Sequence, residues 1–287
     1  MSLFSMGILA DLRSLRDKCA AEHCHNSRLR HSRFGEKTGV RLGEEWFCSD
    51  DCFRQAVEIR ISQLQKKALK NPPQRKSRLP LGLLLLSRGC ITNQQLTSAL
   101  ERQRQSGGPL GDILCRMKFT TDRDVAAAAA TQWGCPVFHP RSCPCQVQAH
   151  IPSSLMNLYS MVPVHYSLPD NKLYVGFVYG VEHHVLHIIE NITSCLTEPC
   201  IITASQCRET INSLPLQNNE VTFTKVTSAA EMANIIQSYA SQIGAEDARL
   251  GVCRDYVWTR LNRKDRPTDL LFSLCGEAPT EHEFVQH

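Results

Sequence analysis

The sequence predicts an α+β protein in three parts: a small N-terminal segment built on paired cysteines, a helical tandem repeat packed with a small α+β domain, and a C-terminal helix plus β-hairpin unit. Three observations predict it. A segment occurs twice without a gap, as residues 81–103 (LGLLLLSRGCITNQQLTSALERQ) and residues 110–132 (LGDILCRMKFTTDRDVAAAAATQ). From residue 151 onward, strand-like alternation trades places with helical periodicity, as in a sheet covered by helices. Cysteines and glycines crowd residues 19–53, where apolar residues are too few for a core.

The elements follow in order. Residues 1–18 set Leu3, Ile8, Leu12 and Leu15 on one face of a short amphipathic helix. Residues 54–69 form a helix carrying Ala56, Ile59, Leu64 and Leu69 among charges, and Asn71-Pro72-Pro73 stops it. Residues 1–70 are thus one segment and residues 71–78 a basic linker. Residues 79–150 hold the repeat, a structural unit built twice. Each copy reads as a short helix, a turn and a longer helix. Gly89 suits a left-handed cap. Thr92 then opens the second helix with Gln95 as its capping-box partner, and Thr121 and Asp124 hold the matching places. Leu96 and Leu100, one turn apart, face the core, and residues 126–130 leave an all-alanine face open to close approach. Residues 133–150 are loop or extended.

Residues 151–216 read as helix to Tyr159, strands over 161–166 and 172–178 around Pro169-Asp170-Asn171, helix over 181–190, strand over 200–203 and helix over 205–214. Residues 217–287 read as a helix over 229–243, opened by a Ser228/Glu231 capping box and stopped by Gly244, then strands over 256–261 and 270–274.

Composition narrows function. Fourteen cysteines in 287 residues are many for a reducing compartment. Most are scattered and read as small buried thiols. The longest leucine run, residues 83–86, is far short of the roughly 20 apolar residues a membrane helix needs, so no membrane insertion is expected. The N-terminus lacks a signal-peptide pattern, so the expected location is cytoplasmic. Charge is uneven: residues 1–78 hold 16 Lys+Arg against 9 Asp+Glu, the remainder 16 against 19. The basic third is either a solvated linker or a surface for an anionic partner such as nucleic acid.

One group of cysteines has metal-like spacing. Cys19-x4-Cys24 and Cys48-x3-Cys52 supply four thiolates, a tetrahedral zinc set with no open position and therefore a structural one. His23 and His25 are substitute ligands, and the alternative is four unrelated buried thiols. Residues 46–53 (WFCSDDCF) resemble the second knuckle of treble-clef zinc fingers, in which the last cysteine opens a helix, so residues 1–70 are expected to be zinc-finger-like. Cys135, Cys143 and Cys145 read as inert loop thiols. His183, His184 and His187 share a helical turn without an evident partner and read as a polar face. No phosphate-cradling G-x-x-x-x-G-K-[ST] loop and no G-x-S-x-G elbow occur in these residues, and the chain reads as non-enzymatic.

The repeat carries a wider resemblance. The pattern Leu-Gly-x-x-Leu-Leu-x-x-Gly-x-Ile-Thr-x-x-x-Leu-x-x-x-Leu-x-x-Gln, as residues 81–103, resembles the N-terminal domain of type II secretion and type IV pilus assembly ATPases of bacteria (the GspE N-terminal domain, MshEN type). Gln132-Trp133-Gly134-Cys135-Pro136-Val137, Ile151-Pro152 and Met161-Val162-Pro163-Val164 follow in that domain's order, so the likeness spans about residues 79–214. The tail, Ala245-Glu246-Asp247-Ala248-Arg249 after its helix, resembles a degenerate second domain of those ATPases. Their Walker loop is not among these residues.

The resemblance implies a regulatory or adaptor protein docking on secretion or pilus machinery, with cyclic di-GMP as its candidate ligand. Leu81, Gly82, Gly89, Gln103, Leu110, Gly111 and Gln132 are the implied ligand-binding residues. In family members that bind the dinucleotide an arginine precedes each Leu-Gly. Here Pro80 and Pro109 stand there, and Lys118 replaces the second turn glycine; Arg78, Arg88 and Arg116 are the nearest substitutes. The alternative for the same residues is packing of the helix pairs. The alternative function is a zinc-finger protein binding nucleic acid through residues 1–78.

Overall fold

The computed structural model describes residues 18–22, 24, 39–70, 78–138, 151–213, 220–226, 228–254, 256–263 and 267–274. The expected helix over 1–18 (but for Lys18), His23, His25, most of the basic linker, Cys143 and Cys145 lie outside them. In chain order come β1 (Val40–Leu42), β2 (Glu45–Phe47) and α1 (Asp50–Lys70). The repeat follows as α2 (Leu81–Ser87), α3 (Asn93–Ser106), α4 (Leu110–Arg116) and α5 (Asp122–Trp133). Next are α6 (Ser153–Tyr159), β3 (Met161–Ser167), β4 (Lys172–Phe177), α7 (His183–Thr193), β5 (Leu196–Ile201) and α8 (Ala204–Ser213). Last come β6 (Glu220–Phe223), α9 (Ala229–Ile243), β7 (Asp247–Cys253), β8 (Tyr256–Asn262) and β9 (Thr268–Ser273). The fold is α+β with two sheets.

Among the described residues these elements form two compact units, 18–70 with 220–274 and 78–213. The first is built on a six-stranded sheet ordered β2-β1-β7-β8-β9-β6. The β1–β2 hairpin adds to it by parallel pairing of Arg41 with Asp247 and Leu42 with Ala248. The described residues of 18–70 and 220–274 share one sheet and one core. Phe53, Val57 and Ile61 recur every fourth residue on α1 and bury one stripe with Met232, Ile236, Val257, Leu261 and Phe272. Ile59 stands two positions off that stripe and is 58% exposed. The expected Ser228 capping box does not form, since the Ser228 side chain makes no cap hydrogen bond, whereas Gly244 ends α9 at φ 64°. On the buried strands Arg260 grips Asp269 with two bonds of 2.9 and 2.8 Å, and the Trp258 indole donates to the same carboxylate at 2.7 Å. The three bonds satisfy a carboxylate and a guanidinium that burial would otherwise leave costly.

The second unit joins the repeat to a three-stranded sheet, β3-β4-β5, with β3 antiparallel and β5 parallel to β4. Val185, Leu186, Ile189 and Ile192 bury one face of α7. The alanine face of α5 permits close contact with β5, as its composition predicts: Ala126, Ala128, Ala129 and Ala130 are all buried. In the repeat, α2 packs on α5 and α3 on α4, so each copy's first helix meets the other copy's second. The equivalent pairs Leu85/Leu114 and Ala99/Ala128 are fully buried between them. Leu100, expected in the core, is 37% exposed. Its equivalent, Ala129, lies in the buried alanine run of α5, which packs on β5.

Candidate functional site

The seam between the two copies is built by reciprocal contacts. Pro80 and Pro109 precede α2 and α4, their fixed φ suiting the approach to a helix. Gly82 and Gly111, one turn-position in, are both buried. A methyl on Gly82 would stand 2.6 Å from a Leu96 methyl and 3.3 Å from Leu110; one on Gly111 would stand 2.7 Å from a Val125 methyl and 3.7 Å from Leu81. Leu96 and Val125 are equivalent, as are Leu81 and Leu110, so the contacts obey an approximate two-fold. Gln103 Nε2 donates to the Gly108 carbonyl at 2.9 Å, and Gln132 Nε2 to the Leu79 carbonyl at 2.7 Å. Gly108 and Leu79 immediately precede the two prolines. Each copy's last glutamine thereby ties down the start of the other copy.

The turns obey the same symmetry with one difference in residue type. Gly89 sits at φ 69°, and Lys118, its equivalent, at φ 58°. Both capping boxes form: Thr92 with Gln95, and Thr121 with Asp124. Of the three arginines nearest the missing pair, Arg78 lies over the Trp133 ring at 3.5 Å, Arg88 hydrogen-bonds Thr131, and Arg116 has its guanidinium beside Gly108.

The copies differ where the second meets the α+β part. Asp112 and Asp122 stand where the first copy has Leu83 and Asn93. Tyr179 Oη donates to Asp112 at 2.6 Å, and Ser205 donates to Asp122 through its hydroxyl and its backbone N–H. The Ser205 hydroxyl, opposed by burial, holds the Asp122 carboxyl below the usual range, with Cys115 and Arg208 helping. Burial first, then the Asp112 hydrogen bond, pushes the Tyr179 phenol up, and burial pushes the Cys115 thiol up to about 12. None of these contacts was expected from sequence. The only signal for them is the charge difference between aligned positions of the two copies.

The four cysteines come together in the other unit. Their sulfurs all lie within 4.8 Å of one another. Cys24 and Cys48 sulfurs are 3.5 Å apart, and the Cys48 N–H donates to the Cys19 sulfur at 3.5 Å. The local fold explains the convergence: Cys48 follows the β1–β2 hairpin, Cys52 lies in the first turn of α1, and the Ala20 N–H donates to the Trp46 carbonyl at 2.9 Å, bringing the first pair alongside. Burial, then the Cys24 and Cys19 sulfurs, pushes the Cys48 thiol up to about 12. Cys19 is lowered: burial opposes its ionisation, but hydrogen bonds from the Ala21 and Cys48 backbone N–H groups and from the Cys24 and Cys48 thiols together outweigh it. Tetrahedral zinc at about 2.3 Å from each sulfur requires S···S separations of about 3.8 Å, so the four fit the ion after small side-chain shifts. No other group of three or more metal-ligating side chains occurs among the described residues. Two of the three α7 histidines have acidic partners: His184 pairs with Glu182 at 3.4 Å and His187 with Glu190 at 3.6 Å. Cys135 is half-buried, and its thiol is raised by burial alone. No helix among the described residues is long and apolar enough to cross a membrane.

No protein-family model matches the chain. Over 127 residues, 44% of its length, it is 28% identical to the type IV pilus assembly ATPase PilB of Thermus thermophilus, and that match spans 14% of the relative's length. Among solved structures, one of MshE with cdg is 21% identical, the match covering 47% of this chain and 98% of that one at a TM-score of 0.39. One of the N-terminal domain of XpsE is 19% identical, covering 46% and 91% at a TM-score of 0.37. The chain therefore resembles a type IV pilus assembly ATPase over somewhat less than half of its own length, and spans only a small part of that relative.

Proposed function

We propose that this chain is a non-catalytic regulatory or adaptor protein that docks on type II secretion or type IV pilus machinery through its duplicated unit. The observation that carries the reading is the closed, two-fold repeat. Its Leu-Gly and Gln positions are kept in both copies and used reciprocally, in a chain with measurable identity to a pilus ATPase. Cyclic di-GMP is the proposed ligand of the seam, on the surface formed by Leu81, Gly82, Gly89, Gln103, Leu110, Gly111 and Gln132. A two-fold ligand suits a two-fold surface. Calorimetry of the full chain with cyclic di-GMP tests the ligand; no heat at high micromolar concentration rejects it. Capture of a secretion or pilus component from native lysate, lost when Leu83 and Leu100 are both made serine, tests the docking role.

Zinc is the proposed structural ion of Cys19, Cys24, Cys48 and Cys52. Four thiolates hold it with no position left for substrate, so it supplies folding energy rather than chemistry. Purified protein should carry one zinc per chain by elemental analysis, and less than half of one in a Cys48→Ser, Cys52→Ser variant. Metal-free wild-type protein would remove the site.

A further inference from the structure

The six-stranded sheet has two faces, and the helices described in its unit account for one. Val257, Leu261, Leu270 and Phe272 alternate along β8 and β9 into the core shared with α1 and α9. Every strand residue of that core points the same way. Cys253 on β7, Tyr256 and Trp258 on β8 and Leu271 on β9 alternate with them and point the other way. The buried Arg260–Asp269 pair belongs to this second face too. Cys253, Trp258 and Leu271 are nonetheless 0% exposed, and Tyr256 3%. The neighbour of Trp258 on β7 is Gly251, which has no side chain to shield it. A sheet face open to water leaves such residues partly wet, so this face has a cover. Among the described residues of the unit, α1 and α9 are the two helices, and both bury their stripes on the first face.

We infer that residues 1–17 are that cover: the start of the chain docks as an amphipathic helix on the second face, over Tyr256, Trp258 and Leu271. The course of the chain supplies the entry. The Ala20 N–H donates to the Trp46 carbonyl at 2.9 Å, and β2 is the end strand of the order β2-β1-β7-β8-β9-β6. Residues 1–17 therefore join the sheet at that edge. Trp258 is three strands in, about 14 Å at about 4.8 Å per strand, and residues 1–17 as a helix reach about 25 Å. The sequence supplies the surface. Phe4, Ile8, Leu12 and Leu15 recur every three or four residues and make one apolar stripe. The other end of the chain is a poorer candidate: residues 275–287 offer Phe284 and Val285 as large apolar side chains among Glu277, Glu281 and Glu283. A helix as short as residues 1–17 is marginal alone and gains its stability by packing an apolar face. The plainer reading, a solvated leader with no contact, leaves the burial of Trp258 without a cause. The inference goes beyond the docking role of the repeat and does not rest on it.

Two measurements on the full chain test it. Hydrogen exchange needs no variant: docking should slow the amides of residues 5–15 by about tenfold or more relative to a synthetic peptide of residues 1–17. Fluorine NMR of chain labelled with fluorotryptophan reads the other partner. The chain has 3 tryptophans, and Trp258→Phe assigns the signal that matters. Ile8→Glu combined with Leu12→Glu should abolish the protection of residues 5–15. It should also open the Trp258 signal to solvent, read as a shift between light and heavy water, while Trp133, in the other unit, stays unchanged. Circular dichroism checks that the double variant is folded; should it unfold, Leu12→Ala replaces it and should lower the protection severalfold. The inference is overturned if residues 5–15 exchange as fast as the peptide, or if Trp258 stays shielded in the folded double variant. Trp258 opened by ending the chain at residue 274, and not by the double variant, would assign the cover to the C-terminal residues and overturn it as well.

Discussion

Lys118 is held at φ 58°, in the left-handed region where a side chain costs about 1 kcal/mol or more. Its twin, Gly89, does the same work without that cost, and a methyl there would meet nothing within 4 Å. Lys118→Gly should therefore raise stability by about 1 kcal/mol, read as a shifted midpoint in urea unfolding. An unchanged or lowered midpoint would mean that the lysine side chain contributes a compensating contact. Gly82 and Gly111 present the opposite case. Each has a leucine or valine methyl under 3 Å from where a Cβ would stand, so Gly82→Ala and Gly111→Ala should each cost about 1–3 kcal/mol by forcing α2 or α4 off its neighbour. Stability within a few tenths of wild type in both variants would show that the helices can separate freely, and the reciprocal packing would lose its meaning.

At the scale of elements, Asp122 links two helices. It opens α5 and at the same time accepts the Ser205 N–H at 3.3 Å, near the start of α8. Its folded-state pKa is depressed. The contact therefore contributes stability that is fully present above the unfolded carboxyl pKa of about 4 and is lost as pH falls through the depressed folded value. Wild type and Asp122→Asn should differ most in thermal midpoint near neutral pH and converge in acid; a gap that stays constant below pH 3 would rule out the carboxylate as the cause. What was legible in the sequence divides along similar lines. The four repeat helices were readable because Thr92 with Gln95 and Thr121 with Asp124 act within one turn. The meeting of Cys19, Cys24, Cys48 and Cys52 was readable because pair spacing is local too. Strands β1, β2, β6 and β7 were not, since each is short or carries charge, and its partner lies far along the chain. Leu100 looked like core because helical period identifies a stripe without saying what covers it. The Tyr179–Asp112 and Ser205–Asp122 bonds needed both ends placed in space before either end meant anything.

On the scale of the whole chain, the first unit is discontinuous and the second lies within its sequence. Arg41 and Leu42 find their strand partners at Asp247 and Ala248, roughly 200 residues later, whereas the repeat closes through Gln103 with Gly108 and Gln132 with Leu79. Loop-closure entropy and contact order put the local unit first. A nascent chain emerging from the ribosome would thus complete its interior domain while the opening hairpin still lacks the neighbour that seals its flank. Until residue 248 arrives, β1 is a bare edge able to recruit foreign strands. Arrest peptides of increasing length should report tension from the interior domain well before the outer one. Synthesis interrupted between residues 216 and 247 should yield a chaperone client, and the protein's vulnerable moment is then a stretch of translation rather than any state of the finished molecule.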